Sequence, residues 1–150
     1  MTIDTLSSNA GSRLSKGTVA VGEKIGFLQK FLGYELKSAE RYRRFVSLVL
    51  VDTDEPERDT RRLLSDAVRT SDILADMERF SVILMTETNS AGALSAIDRY
   101  KNRGDLGSVL RFAVVTYPSD GGGVENLIET GYRRLKSASS GPPGTVVMNG

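Results

Sequence analysis

Asp52 and Asp54 close an apolar run made by Phe45, Val46, Leu48, Val49, Leu50 and Val51, and so set two carboxylates at alternate positions. Carboxylates at the carboxyl end of a strand buried on both faces stand where open α/β sheets take ligands, and their oxygens suit a hard cation. The same residues also suit ending the strand and capping the helix that follows, since Asp is favoured in turns and at N-caps. Further along, Arg69-Thr70-Ser71-Asp72 separates a basic helix from the next apolar run. There Arg69 would oppose a helix dipole and Asp72 would cap. Asp120-Gly121-Gly122-Gly123 precedes a helix and could cradle a phosphate on free N–H groups, but it lacks the Lys-Ser/Thr of a P-loop, so a turn and cap is preferred.

What is missing narrows the chemistry. The 150 residues contain no cysteine and no histidine. That removes disulfides, thiolate metal sites, Ser-His-Asp catalysis and nearly all zinc chemistry, leaving carboxylates, Lys, Tyr and Ser/Thr. Lys plus Arg number 20 against 19 for Asp plus Glu, so no global field recruits nucleic acid or an acidic membrane. No apolar run approaches the roughly 20 residues of a membrane span, and the N-terminus lacks a secretory signal layout, so a cytoplasmic protein with no membrane insertion and no nucleic-acid partner is expected. Charged residues at 26% and hydrophobic ones at 39% are ordinary for one globular domain of this length.

The elements that must position these side chains follow from periodicity. Residues 1–18, rich in Ser, Thr, Asn and Gly, are expected as a flexible tail. Ile25, Leu28, Phe31, Leu32, Leu36 and Ala39 recur at helical spacing and predict an amphipathic helix over Val21 to Tyr42, with Gly26 and Gly33 as points of weakness and its first half available as a dimerisation arm. Strand Phe45 to Val51 comes next. Asp54-Glu55-Pro56-Glu57 starts a helix reaching Val68 with Leu63, Leu64 and Ala67 inward. Ile73 to Met77 and Phe80 to Met85 predict an antiparallel pair of strands joined near Glu78 and Arg79. A helix capped at Asn89 or Ser90 carries Leu94, Ile97 and Tyr100 inward and Arg99 and Arg103 on a basic face. Strand Val109 to Tyr117 and helix Val124 to Ala138 complete the domain, 19–138, and residues 139–150 are expected as a loose tail. Helices alternating with strands around one hairpin predict an α/β (α+β) fold: a mixed, mainly antiparallel central sheet flanked by helices.

Taken in this order, several segments resemble the GGDEF domain, the bacterial diguanylate cyclase fold that makes cyclic di-GMP from two GTP. They are Tyr34-Glu35-Leu36 to Arg44, Phe45 to Asp52, Arg69-x-x-Asp72, Phe80 to Met85, and Arg111 to Gly121, whose Val115-Thr-Tyr-Pro-Ser-Asp-Gly121 is the best match. The resemblance spans residues 27 to 138. It implies a cyclase-like fold in shortened form, a first metal-binding Asp at Asp52, and a product-binding motif at Arg69 and Asp72. In that motif an arginine fork meets phosphate or a guanine edge and the carboxylate accepts guanine N–H groups. Arg99 and Arg103 are candidates for further contacts, and Lys136 for a phosphate-touching lysine.

The departures from the family are equally informative. In place of Gly-Gly-Asp/Glu-Glu-Phe the chain runs Asp76-Met77-Glu78-Arg79-Phe80, so both glycines that free the backbone to approach a triphosphate are gone. Arg79 replaces an acid, which weakens the field for magnesium and leaves Asp52 and Glu78 as a vestigial metal and nucleotide site. Only 14 residues lie between Asp54 and Arg69, and none is the Asn that would recognise guanine. The expectation is a non-catalytic, degenerate GGDEF-like module with no cofactor. It would bind cyclic di-GMP through Arg69 and Asp72 or, alternatively, act as a scaffold whose N-terminal helix pairs two copies or docks a protein partner.

Overall fold

The computed structural model describes residues 18–19, 24–53, 60–77, 79–104 and 106–150. The tail expected at residues 1–17, the helix start at 54–59 and Glu78 lie outside these described residues. In chain order the elements are β1 (Thr18–Val19), α1 (Lys24–Tyr42), β2 (Val46–Thr53), α2 (Thr60–Ala67), β3 (Ile73–Asp76), β4 (Ser81–Thr86), α3 (Ser90–Lys101), a 3-10 turn (Leu106–Ser108), β5 (Leu110–Tyr117), α4 (Val124–Ser139) and β6 (Val146–Val147).

The sheet has six strands in the order β1-β3-β4-β2-β5-β6, antiparallel across its four middle strands and parallel at its two outer pairs. The expected mixed, mainly antiparallel sheet is what forms. β2 is central, and its apolar run is broken only by Ser47, whose buried hydroxyl bonds Thr88 O and Thr116, because both faces are covered. Leu48 and Leu50 meet Leu28, Leu32 and Leu36 of α1 and Leu127, Ile128 and Leu135 of α4, whereas Val49 and Val51 meet Leu64 of α2 and Ala93, Ile97 and Tyr100 of α3. Each such fully buried aliphatic side chain contributes roughly 1.5–3 kcal/mol.

Four features differ from the sequence expectation. First, α1 runs unbroken through Gly26 and Gly33, because a helix packed along one face tolerates isolated glycines. Second, Ile25 and Leu94 are exposed, each lying beside rather than on the buried stripe of its helix. Third, Thr18 is not tail but pairs with Leu74 at the sheet edge. Fourth, residues 139–150 are docked rather than loose. Past the Gly141-Pro142-Pro143-Gly144 turn, Gly144 N donates to Leu110 O (2.7 Å), Phe112 N donates to Thr145 O (2.8 Å), and Val146 and Met148 pack on the core. The apolar Val-Val-Met triplet covers the edge of β5, which would otherwise present unpaired backbone groups.

Candidate functional site

Asp52 stands one residue before the end of β2. The register Val51 to Ser81 sets it beside the turn joining β3 to β4, and on the other side Asp52 is paired across the strands with Arg111. Directly opposed residues of an antiparallel pair share a face, so a guanidinium side chain rather than a second carboxylate faces Asp52. The neighbouring turn is tight: Met77 N donates to Phe80 O (2.8 Å) and Arg79 N donates to Met77 O (3.0 Å). Phe80 lies edge-on to Tyr132 of α4, with ring centroids 5.4 Å apart.

Both carboxylate oxygens of Asp52 are already engaged. Oδ2 accepts from the Ser139 hydroxyl at 2.7 Å and Oδ1 accepts from Thr53 N–H at 2.9 Å. A cation arriving here would share the Asp52 oxygens with the Ser139 hydroxyl and Thr53 N–H. Among the described residues no three His, Cys, Asp or Glu side chains gather as a metal site requires.

The second candidate cluster lies on the α2/α3 face. Past the end of α2, Asp72 N donates to Arg69 O (3.1 Å) and closes a turn that leaves Arg69 exposed. Asp72 itself is only 3% exposed. Burial pushes its carboxyl up to about 6, against the opposing pull of Arg69 and Arg99. The charge of Asp72 also reaches Tyr100, whose hydroxyl is fully buried with no hydrogen-bond partner among the described residues. Burial first, and then Asp72, hold that phenol well above its ordinary value. The Arg99 guanidinium carbon lies 5.5 Å from the centre of the Tyr100 ring. Arg69, Asp72 and Arg99 are therefore brought together. Arg103 is exposed beyond the end of α3, and no described contact joins its side chain to them.

A raised carboxyl means that the folded chain holds its proton more tightly than the unfolded one, which ionises near pH 4. Asp72 therefore subtracts stability as pH climbs from about 4 through about 6, and the loss persists above that. Asp72→Asn is expected to stabilise the fold on the order of 1 kcal/mol at pH 7.5, after allowance for solvent screening, with the difference vanishing below pH 4. Denaturant unfolding at the two pH values measures it.

No protein-family model and no curated protein matches the sequence. Solved structures do. The GGDEF domain of TpbB (YfiN) from Pseudomonas aeruginosa superposes with a TM-score of 0.71 at 17% identity, covering 82% of this chain and 87% of that one. The FimX GGDEF domain from the same organism gives 0.71 at 10% identity over 93% and 100% of the two chains. The active GGEEF domain of a diguanylate cyclase from Vibrio cholerae gives 0.68 at 10% identity over 82% and 94%. The chain has the GGDEF-domain fold.

Within the GGDEF fold, the sequence reading passed over the residues that hold the sheet's polar side chains in place. Ser139 bonds to Asp52 and Arg111 is paired across the strands with it, yet Ser139 was expected at the start of the loose tail and Arg111 in the strand that opens the Arg111 to Gly121 resemblance. Asp120 does belong to a turn, where its N–H donates to Thr116 O at 2.8 Å and its Oδ2 takes Thr116 N–H at 2.9 Å, but the cap of α4 is Gly123, and the carboxylate also takes the Arg134 guanidinium at 3.1 Å. Arg134, 6% exposed, also donates to Val114 O at 2.8 Å. Burial alone would raise the Asp120 carboxyl, but the Arg134 hydrogen bond, the Thr116 N–H and the Arg134 charge outweigh it and hold it below the usual range. A signal for this pair was present, since Arg134 shares the buried stripe of α4 with Leu127, Ile128, Gly131, Leu135 and Ala138. Lys136 is exposed in the last turn of that helix.

Proposed function

We propose that this chain is a non-catalytic GGDEF-fold signalling module that takes cyclic di-GMP at the Arg69 and Arg99 face. The observation that carries the proposal is the division of labour between the two clusters. At the Asp52 end the carboxylate is tied to Ser139 and Thr53 and faces Arg111. At the other cluster an exposed Arg69 stands with Arg99 around a shared buried carboxylate. Two guanidinium groups suit the two phosphates of a cyclic dinucleotide, and a buried Asp72 serves to hold them in place rather than to read a base edge. Magnesium and GTP turnover have no part in this role.

Calorimetry with cyclic di-GMP tests it on the full chain. Binding to the wild type that weakens at least tenfold in Arg69→Ala is the expected result. No binding to the wild type contradicts it.

A second role, as a scaffold pairing two copies through α1, draws on the exposed aromatic face of that helix. Tyr34 is 65% exposed, and Phe27 and Phe31 pair edge-on at 4.6 Å beside it. Sedimentation of the wild type and of Tyr34→Glu reads that role: a dimer dispersed by the substitution supports it, and a monomer throughout removes it.

A further inference from the structure

At the opposite end of β2 from Asp52, six residues and about 20 Å away along the strand, a cavity of about 300 Å³ opens between α1 and the sheet. Glu35 and Ser38 of α1, Ser71, Thr86 and the exposed Phe45 line it. Arg44 and Glu87, which also line it, form an ion pair at 2.8 Å, so the one is the other's partner. Glu35 is left as the uncompensated charge. It has no hydrogen bond or ion pair with any described residue, and burial together with the nearby Glu87 raises its carboxyl above the ordinary value. The hydroxyls of Ser38, Ser71 and Thr86 are likewise not hydrogen-bonded to other described residues.

The backbone at the mouth is unusual as well. Glu87 has φ 50° and Arg43, next to Arg44, has φ 56°, conformations that cost a non-glycine residue on the order of 1–2 kcal/mol each. Such strain is commonest around ligand sites. In Arg43 part of the cause is local, since it follows the last residue of α1 and lets Arg44 N donate back to Ala39 O at 2.9 Å.

We propose that this cavity binds a small organic monocation, an amine or guanidine on a short apolar or aromatic body. Glu35 takes the charged head, the three hydroxyls complete its hydrogen bonds, and the exposed Phe45 ring packs on the body. An anion is disfavoured because Arg44, the only cation among the described lining residues, is already paired with Glu87. Ser71 belongs to the turn between Arg69 and Asp72, so a ligand seated here also bears on the backbone that presents Arg69. The inference does not depend on the cyclic di-GMP proposal, and either stands without the other.

Phenethylamine and its neutral counterpart phenethyl alcohol are the probes, titrated into the full chain and followed by amide chemical shifts. The expected result is that the amine shifts Ser38, Ser71 and Glu87 and binds at least tenfold more tightly than the alcohol. Glu35→Gln should remove that preference while Ser71→Ala weakens binding severalfold, both with unchanged far-ultraviolet circular dichroism. Equal binding of amine and alcohol, an amine preference that survives Glu35→Gln, or shifts confined to other parts of the chain would overturn the proposal.

Discussion

Asp120→Ala is expected to cost about 3 kcal/mol and to lower the thermal midpoint by roughly 10 °C. The substitution leaves the Arg134 guanidinium buried with Val114 O as its remaining described acceptor, and its Nε already lacks a partner. An uncompensated buried charge is the costly result of breaking such a pair, more than the lost attraction itself. The effect depends on pH in a definite direction. Since Asp120 is held below its unfolded value, its contribution is complete above about pH 4 and is lost as pH falls through the lower folded value. The wild type and the variant therefore converge in strong acid. A constant gap between them down to pH 2 would show that the ion pair is not what holds α4 to β5.

Gly131→Leu is expected to cost about 3 kcal/mol through overpacking. Gly131 sits on the inner face of α4, where a Cβ would meet Leu50 Cδ1 at 3.0 Å and Leu50 Cδ2 and Val115 Cγ2 at 3.3 Å. The helix lies this close to β2 and β5 because the residue between them has no side chain. Adding one forces α4 outward and stretches the contact from Ser139 to Asp52 at its far end. Gly33→Ala is the control. Its Cβ meets only Val124 Cγ2, at 3.9 Å, so α1 should gain up to about 1 kcal/mol from helix propensity alone. Urea unfolding of the two variants separates packing from propensity, and equal effects of the same sign would contradict the close approach at Gly131.

The central strand was legible because burial on both faces leaves a near-continuous apolar run, and Val46 to Val51, broken only by Ser47, is such a run, whereas Phe45, expected at its start, lies ahead of the strand and is exposed. The alternation of elements, and the resemblance carried by Val115 to Gly121, also led to the fold that the solved GGDEF domains share. The closing edge was not legible. Val146 and Val147 are too few to show a period of two, and the Gly-Pro-Pro-Gly ahead of them signals a turn whether or not a strand follows. The site was only half legible for a related reason. Asp52 and Arg69 can be picked out by type and position, but what occupies their atoms is set by distant residues. Ser139 lies 87 residues from Asp52, and no local pattern joins them. The burial of Asp72, and its electrostatic coupling to Arg99 and Tyr100 of α3, are tertiary features that a four-residue motif cannot reveal.

The central proposal is that the GGDEF fold here serves without nucleotide chemistry at its Asp52 end. Incubating the full chain with GTP and magnesium and separating the nucleotides by chromatography tests it most directly. Unchanged GTP is the predicted result, and formation of cyclic di-GMP that disappears in Asp52→Asn would contradict it.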